Sequence, residues 1–188
     1  MTYEVIVIGA SWGGLQALAT LLEEVPVELD QAIVIVQHRS AESRRGALES
    51  LLQRHIARPV SEPVDKEAVL QRHVYVAPPD YHLLVDGERF ALSLEARVQY
   101  ARPSIDVLFE SVAAAYRDRA IGIVLTGANE DGAAGLAAIK RNGGVAIVQD
   151  PSTATKRSMP EAAIAAAETD AVLPLEEIGP FLYGLCCT

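Results

Sequence analysis

Short runs of β-branched and other apolar residues recur along this chain, at residues 5–8, 32–36, 121–125 and 145–148, each leading through a turn into helical spacing. The runs are continuous rather than alternating, the pattern of strands covered on both faces. Strand and helix in regular alternation specify βαβ units, so the expected fold is α/β: a doubly wound, mostly parallel sheet with helices on both faces. One segment breaks the rhythm. Residues 82–85 and 89–94 flank Asp86-Gly87, with Glu88 completing the loop, which predicts an antiparallel hairpin appended to the sheet. A helix over 15–24, another within 39–58 carrying Leu48, Leu51, Leu52 and Ile56, and others from Ser104, over 133–141 and after Pro160 complete the outline, with an apolar piece at 171–173 and a C-terminal helix. Of the 188 residues, 50% are hydrophobic, enough for one core, and no linker divides the chain; a single domain over 1–188 is expected.

The first strand stops at Gly9-Ala10-Ser11-Trp12-Gly13-Gly14. A dinucleotide fingerprint, G-x-G-x-x-G, would need glycine at position 11, where the pyrophosphate approaches the backbone; the residue is Ser11. The segment instead matches G-x-S-x-G, in which a serine at the apex of a strand-to-helix turn presents its Oγ beside amides able to hold an oxyanion. A serine there also serves as a plain helix cap, so the chemistry depends on partners. Two other strand ends supply them: His38 after residues 32–37, and Asp131 in the turn after residues 121–125. A serine hydroxyl needs a base, and an imidazole needs a carboxylate to fix its tautomer and stabilise its cation. Ser11, His38 and Asp131 are therefore the candidate catalytic residues, although His38 and Asp131 taken singly are equally explained as a strand-end histidine and a cap for the next helix. The order Ser, His, Asp differs from the Ser, acid, His order of α/β-hydrolases.

The net charge of −9 argues against nucleic acid or an anionic membrane surface as partner. With no signal peptide and no run long enough to span a bilayer, a cytoplasmic location without membrane insertion is expected. The two cysteines, Cys186 and Cys187, are adjacent and offer neither a disulfide framework nor metal-ligand spacing. His55, His73 and His82 have no such spacing either and read as surface or loop histidines. No metal and no cofactor is expected.

Several separated segments, from about Val5 to about Ile164, resemble one family, the catalytic domain of the chemotaxis protein-glutamate methylesterases, or CheB family: Gly9 to Gly14, Val36-Gln37-His38, Tyr75-Val76-Ala77-Pro78, Arg102-Pro103-Ser104-Ile105-Asp106-Val107-Leu108-Phe109, Leu125-Thr126-Gly127 with Asp131-Gly132-Ala133-Ala134-Gly135, and Met159-Pro160. The resemblance implies hydrolysis of glutamate methyl esters, and possible deamidation of glutamine, on the cytoplasmic helices of methyl-accepting chemoreceptors. It also implies Ser11 as nucleophile, His38 as base then acid, and Asp131 as orienting carboxylate. Departures from the family pattern stand at Trp12, at Ala128-Asn129 in place of Met-Gly, at Arg39-Ser40 in place of Met-Pro, and at Ser158. Ala128 retains the backbone amide that the family associates with the oxyanion, whereas Trp12 alters the rim. Arg102 is a candidate for the substrate cleft or for a structural ion pair, and Lys156-Arg157 form a small basic spot near Met159 that reads as a solvated loop or as a contact for an acidic receptor helix. Many family members carry a receiver domain ahead of the catalytic strand; its absence here leads to the expectation of an open esterase or of a receiver-domain regulator in trans. Two other classes of function remain open at this level, a catalytically silent scaffold of the same fold in a signalling array and a nucleotide-binding module.

Overall fold

A computed structural model describes residues 3–187; Met1, Thr2 and Thr188 lie outside the described residues. The strands are β1 (Val5–Ala10), β2 (Ala32–Gln37), β3 (Val60–Ser61), β4 (Val74–Val76), β5 (His82–Asp86), β6 (Arg89–Ser93), β7 (Ala120–Val124), β8 (Val145–Gln149) and β9 (Ala171–Leu173). The helices are α1 (Gly14–Glu24), α2 (Ala47–Leu52), α3 (Ile105–Tyr116), α4 (Ala133–Arg141), α5 (Ser158–Ala166) and α6 (Leu175–Cys186). Seven strands form one parallel sheet in the order β3-β4-β2-β1-β7-β8-β9. The chain winds outward from β1 in both directions, so β2, β1 and β7 are neighbours at the centre.

Alternate residues of β1 feed two separate cores, as the pleat requires. Val5 and Val7 face α3, α4, α5 and the hairpin, whereas Ile6, Ile8 and Ala10 face α1, α2 and α6. All six β1 residues are buried, which explains why the strand reads as unbroken apolar sequence. On α3, Leu108, Phe109, Val112 and Tyr116 are buried toward the sheet.

Three sequence expectations need correction. The hairpin is not appended to the main sheet: β5 and β6 form their own two-stranded sheet. β4, which precedes it, already has β3 and β2 on its two sides, so no free edge adjoins the hairpin; Leu83, Val85 and Phe90 are buried in the α3 layer instead. The helix expected within 39–58 is only α2, Ala47–Leu52, starting at Gly46 with φ +76. Beyond it Arg58 is drawn under the surface, donating to the carbonyls of Pro26, Leu29 and Gln31, which takes the backbone out of helical register. His82 is not a surface residue: it is 1% exposed, and its Nδ1 accepts from the Ser104 amide at 3.2 Å while its Nε2 lies 3.0 Å from the Ala96 carbonyl. The short β3 has no signal in the sequence, because two residues carry no periodicity.

Candidate active site

The carboxyl ends of β2, β1 and β7 deliver the three candidate side chains to one place. The backbone joins them first: the Ser11 amide donates to Thr126 O at 3.0 Å and the His38 amide to Ala10 O at 3.0 Å. At the β1 end, the turn reaches α1 through Gly13, whose φ of +80 is disfavoured for any residue with a Cβ. Gly13, not Ser11, holds the N-cap position, and no side chain caps α1. The helix-cap alternative for Ser11 therefore does not hold, and its hydroxyl is available for other contacts.

That hydroxyl lies 3.2 Å from His38 Nδ1, and the opposite ring nitrogen, Nε2, lies 2.7 Å from Asp131 Oδ2. The Asp131 carboxylate accepts a hydrogen bond from the proton on Nε2, which leaves Nδ1 as the acceptor facing Ser11; the hydrogen-bond partner on one nitrogen decides the state of the other. The His38 side chain is 12% exposed and that of Asp131 fully buried.

A buried carboxylate needs donors, and Asp131 has four. Besides His38, it accepts from Ser104 Oγ at 2.8 Å, the Ile105 amide at 2.7 Å and the Asp106 amide at 3.0 Å. Burial opposes its ionisation, but the bonds from His38, Asp106 and Ile105 together outweigh burial and hold the carboxyl below its ordinary 3.8. Asp131 thus caps a helix, but α3 rather than the α4 that follows it. Ser104 is the N-cap of α3, as the sequence indicates, with its Oγ accepting from the Val107 amide.

Further residues shape the site without standing out in the sequence. Gln37 Nε2 donates to the carbonyls of Ser11 and His38, both at 2.9 Å, and so ties two strand ends together. Thr126 Oγ1 donates to Trp12 O at 2.9 Å and accepts from the Lys156 amide at 2.8 Å, fastening the turn after β1 to the loop before α5. Asn129 Nδ2 lies 3.5 Å from His38 Nδ1, and its Oδ1 is buried without a partner among the described residues. The only sequence signal for Gln37 and Asn129 is their closeness to His38 and Asp131.

The remaining sequence candidates separate clearly. Trp12 is 64% exposed, with Lys156 Nζ 5.9 Å from its ring centroid, so it stands at the rim rather than in the core. Ala128 is exposed beside Asn129, and the amides of Trp12, Gly13 and Ala128 take no acceptor among the described residues. Arg102 lines a cavity of about 340 Å³ that also contacts His38, Arg39 and Asn129. Its guanidinium is nonetheless occupied by Asp80 at 2.7 Å and the carbonyls of Leu94 and Glu95, so it holds the 94–102 loop. Arg39 reaches Glu62 at 2.7 Å and the Ala77 carbonyl at 2.6 Å. Arg157 pairs with Glu161 at 2.8 Å. Among the described residues no group of His, Cys, Asp and Glu side chains is arranged to hold a metal ion, and no helix is long and apolar enough to cross a membrane.

The family model described as CheB methylesterase matches residues 6–182. The chain belongs to the CheB methylesterase family. A relative from Leptospira interrogans (strain Fiocruz L1-130), named putative protein-glutamate methylesterase/protein-glutamine glutaminase, is 49% identical over 186 residues, 98% of this chain and 96% of the relative. A relative from Rhodospirillum rubrum, named protein-glutamate methylesterase/protein-glutamine glutaminase 2, is 40% identical over 182 residues, and there the match spans 49% of the longer protein. Among solved structures, the CheB methylesterase catalytic domain of Thermotoga maritima superposes with a TM-score of 0.89 at 30% identity, covering 98% of this chain and 100% of that one. The doubly wound sheet described above is thus the fold of the CheB catalytic domain.

Proposed function

We propose that this CheB-family chain is a serine esterase that hydrolyses the γ-methyl ester of glutamate side chains, and the γ-amide of glutamine side chains, on the cytoplasmic helices of chemoreceptors. One observation carries the proposal: a single imidazole bridges Ser11 Oγ at 3.2 Å and Asp131 Oδ2 at 2.7 Å through its two nitrogens. The names of the relatives supply the substrate class.

In the first half-reaction Ser11 Oγ attacks the ester γ-carbonyl while His38 Nδ1 takes the hydroxyl proton. The imidazolium forms against the Asp131 carboxylate, which is kept ionised by its other donors and stabilises the cation. The free amides of Trp12 and Gly13, in the turn after β1, and of Ala128, in the turn after β7, are the donors available to the tetrahedral oxyanion, where a lost donor costs roughly 10²- to 10³-fold in kcat. His38 returns the proton to the departing methoxide, and methanol leaves. Water, deprotonated by the same nitrogen, then attacks the acyl-enzyme; glutamate and free Ser11 result. Ammonia takes the place of methanol when the substrate is glutamine.

Residues 1–188 act as one catalytic domain in this scheme, either as an open esterase or under a receiver domain acting in trans. The deciding experiment is methanol release from methylated receptor by wild type and Ser11→Ala, with fluorophosphonate labelling alongside. Loss of both turnover and label in Ser11→Ala, with the melting temperature unchanged, is the expected result. No labelling in the wild type would favour a silent scaffold of the same fold, and labelling elsewhere than Ser11 would overturn Ser11 as the nucleophile. Adding a phosphorylated receiver domain and following the same release tests the regulator.

A further inference from the structure

Asp106, one residue into α3, is buried and has no place in the reaction just described. Its Oδ1 accepts from the Gly132 amide at 2.9 Å and from the Gly135 amide at 2.7 Å, and its Oδ2 accepts from Gln99 Nε2 at 3.1 Å. Two of those donors are the unpaired amides at the start of α4, which every helix presents at its N-terminus. Asp131, immediately before α4, accepts in turn from the Ile105 and Asp106 amides at the start of α3. Each helix is therefore capped by a carboxylate from the other, and each carboxylate sits at the positive end of the other's helix.

The exchange has a direct geometric consequence for Asp131. The Gly132 amide belongs to the peptide plane that begins at Asp131 Cα, so the bond from Gly132 to Asp106 Oδ1 fixes ψ of Asp131. Gly132 is itself at φ +102, where a side chain would be strained, so this turn has a specific backbone shape that something must hold. With the Asp131 backbone held by Asp106, and its carboxylate held by α3, the direction in which Oδ2 meets His38 Nε2 is set from both ends. Resting on the esterase function proposed above, the geometry points to Asp106 as a positioning residue: it holds the backbone turn that aims Asp131 at His38, through its capacity to accept hydrogen bonds rather than through its charge.

The two properties can be separated because the acceptor geometry survives neutralisation. Asparagine at 106 keeps an oxygen for Gly132 and Gly135, and its amide nitrogen can donate to Gln99 once the Gln99 amide turns over. Alanine keeps neither. Around Asp106 stand Asp131 and, on its own helix, Glu110, both of which disfavour a second negative charge; removing the charge therefore leaves no buried cation unpaired.

The test compares Asp106→Ala and Asp106→Asn for kcat and KM in methanol release, and for the proton NMR signal of the His38 ring N–H that points at Asp131. Asp106→Ala is expected to lower kcat by about 100-fold, the scale of a displacement of about 1 Å in a catalytic group, with KM little changed, and to shift or broaden the ring N–H signal. Asp106→Asn is expected to recover most of kcat and the wild-type signal. A purely structural role would lower the melting temperature of Asp106→Ala and leave kcat and the signal as they are, and that outcome overturns the inference. So does an Asp106→Asn variant as impaired as Asp106→Ala, since charge would then be what matters. Should Asp106→Ala fail to fold, Asp106→Glu, which displaces the carboxylate by one methylene, carries the same expectation of lowered kcat and an altered ring signal. A wild-type protein inert on methylated receptor would sink the functional proposal alone, because the ring N–H signal needs no substrate and still decides the role of Asp106.

Discussion

Replacing Asp131 by asparagine tests both jobs of that side chain, because the carboxylate accepts four hydrogen bonds and the amide has one oxygen to accept with. The NH2 group must point one of two ways. Toward Ser104 and Asp106, it leaves the Asp106 amide facing a donor and obliges the Ser104 hydroxyl, also buried, to turn away from its acceptor. Toward Ile105 and His38, it orphans only the Ile105 amide, and His38 can respond by accepting at Nε2. Each buried donor left unsatisfied costs about 1–3 kcal/mol. The second orientation orphans one group rather than two, so it prevails. The fold then loses about 1–3 kcal/mol, but the larger effect is on the reaction. With Nε2 accepting, the ring proton moves to Nδ1, the nitrogen that should take the proton from Ser11. The same tautomer error in a Ser-His-Asp triad lowers kcat by about 10⁴-fold, equivalent to roughly 5.5 kcal/mol of barrier. The assay is methanol release together with a nitrogen NMR spectrum of His38 and a thermal melt. An Asp131→Asn protein retaining kcat within about tenfold of wild type, with its proton still on Nε2, would refute the reasoning.

Other expectations follow from the same geometry. Burial pushes the Asp106 carboxyl up to about 6 from an ordinary 3.8, so the folded state binds its proton more tightly than the unfolded chain does; the stability contribution of Asp106 is present below the unfolded value and falls as pH rises through that window. The melting temperature of wild type should accordingly decline relative to Asp106→Asn between about pH 4 and pH 6, and a difference that is constant with pH would contradict the shift. A Cβ on Gly135 would lie 2.5 Å from Phe109 Cβ and 3.1 Å from Asp106 Cα, where α3 and α4 cross. Gly135→Ala should therefore destabilise by about 1–3 kcal/mol in urea unfolding and lower kcat as the exchanged caps separate. Trp12→Ala, at an exposed rim position, should leave stability within about 0.5 kcal/mol and raise KM with kcat retained, the pattern of lost uniform substrate binding; an unchanged KM would mean that the ring does not meet the receptor.

What the sequence by itself determined was local. Runs such as Val5-Ile6-Val7-Ile8 identify buried strands because hydrophobic burial acts residue by residue along a strand. The turns after them identify Ser11, His38 and Asp131 because glycine and polar residues interrupt those runs. Even Ser104 as a helix cap is legible, since its partner is only three residues away. The family resemblance implies these three as a set, but the contacts that join them belong to the tertiary structure. Ser11, His38 and Asp131 come together because β2, β1 and β7 lie side by side, an order that no periodicity encodes. The tertiary structure also decided that Nδ1 of His38, and not Nε2, faces the serine, that Arg102 is taken up by Asp80, that the hairpin stands apart from the main sheet, and that Asp106 and Asp131 cap each other's helices. Each is a contact between residues more than 20 positions apart or a choice among neighbours in space. Such choices are settled by how helices and strands pack as whole bodies, after every local preference has been met.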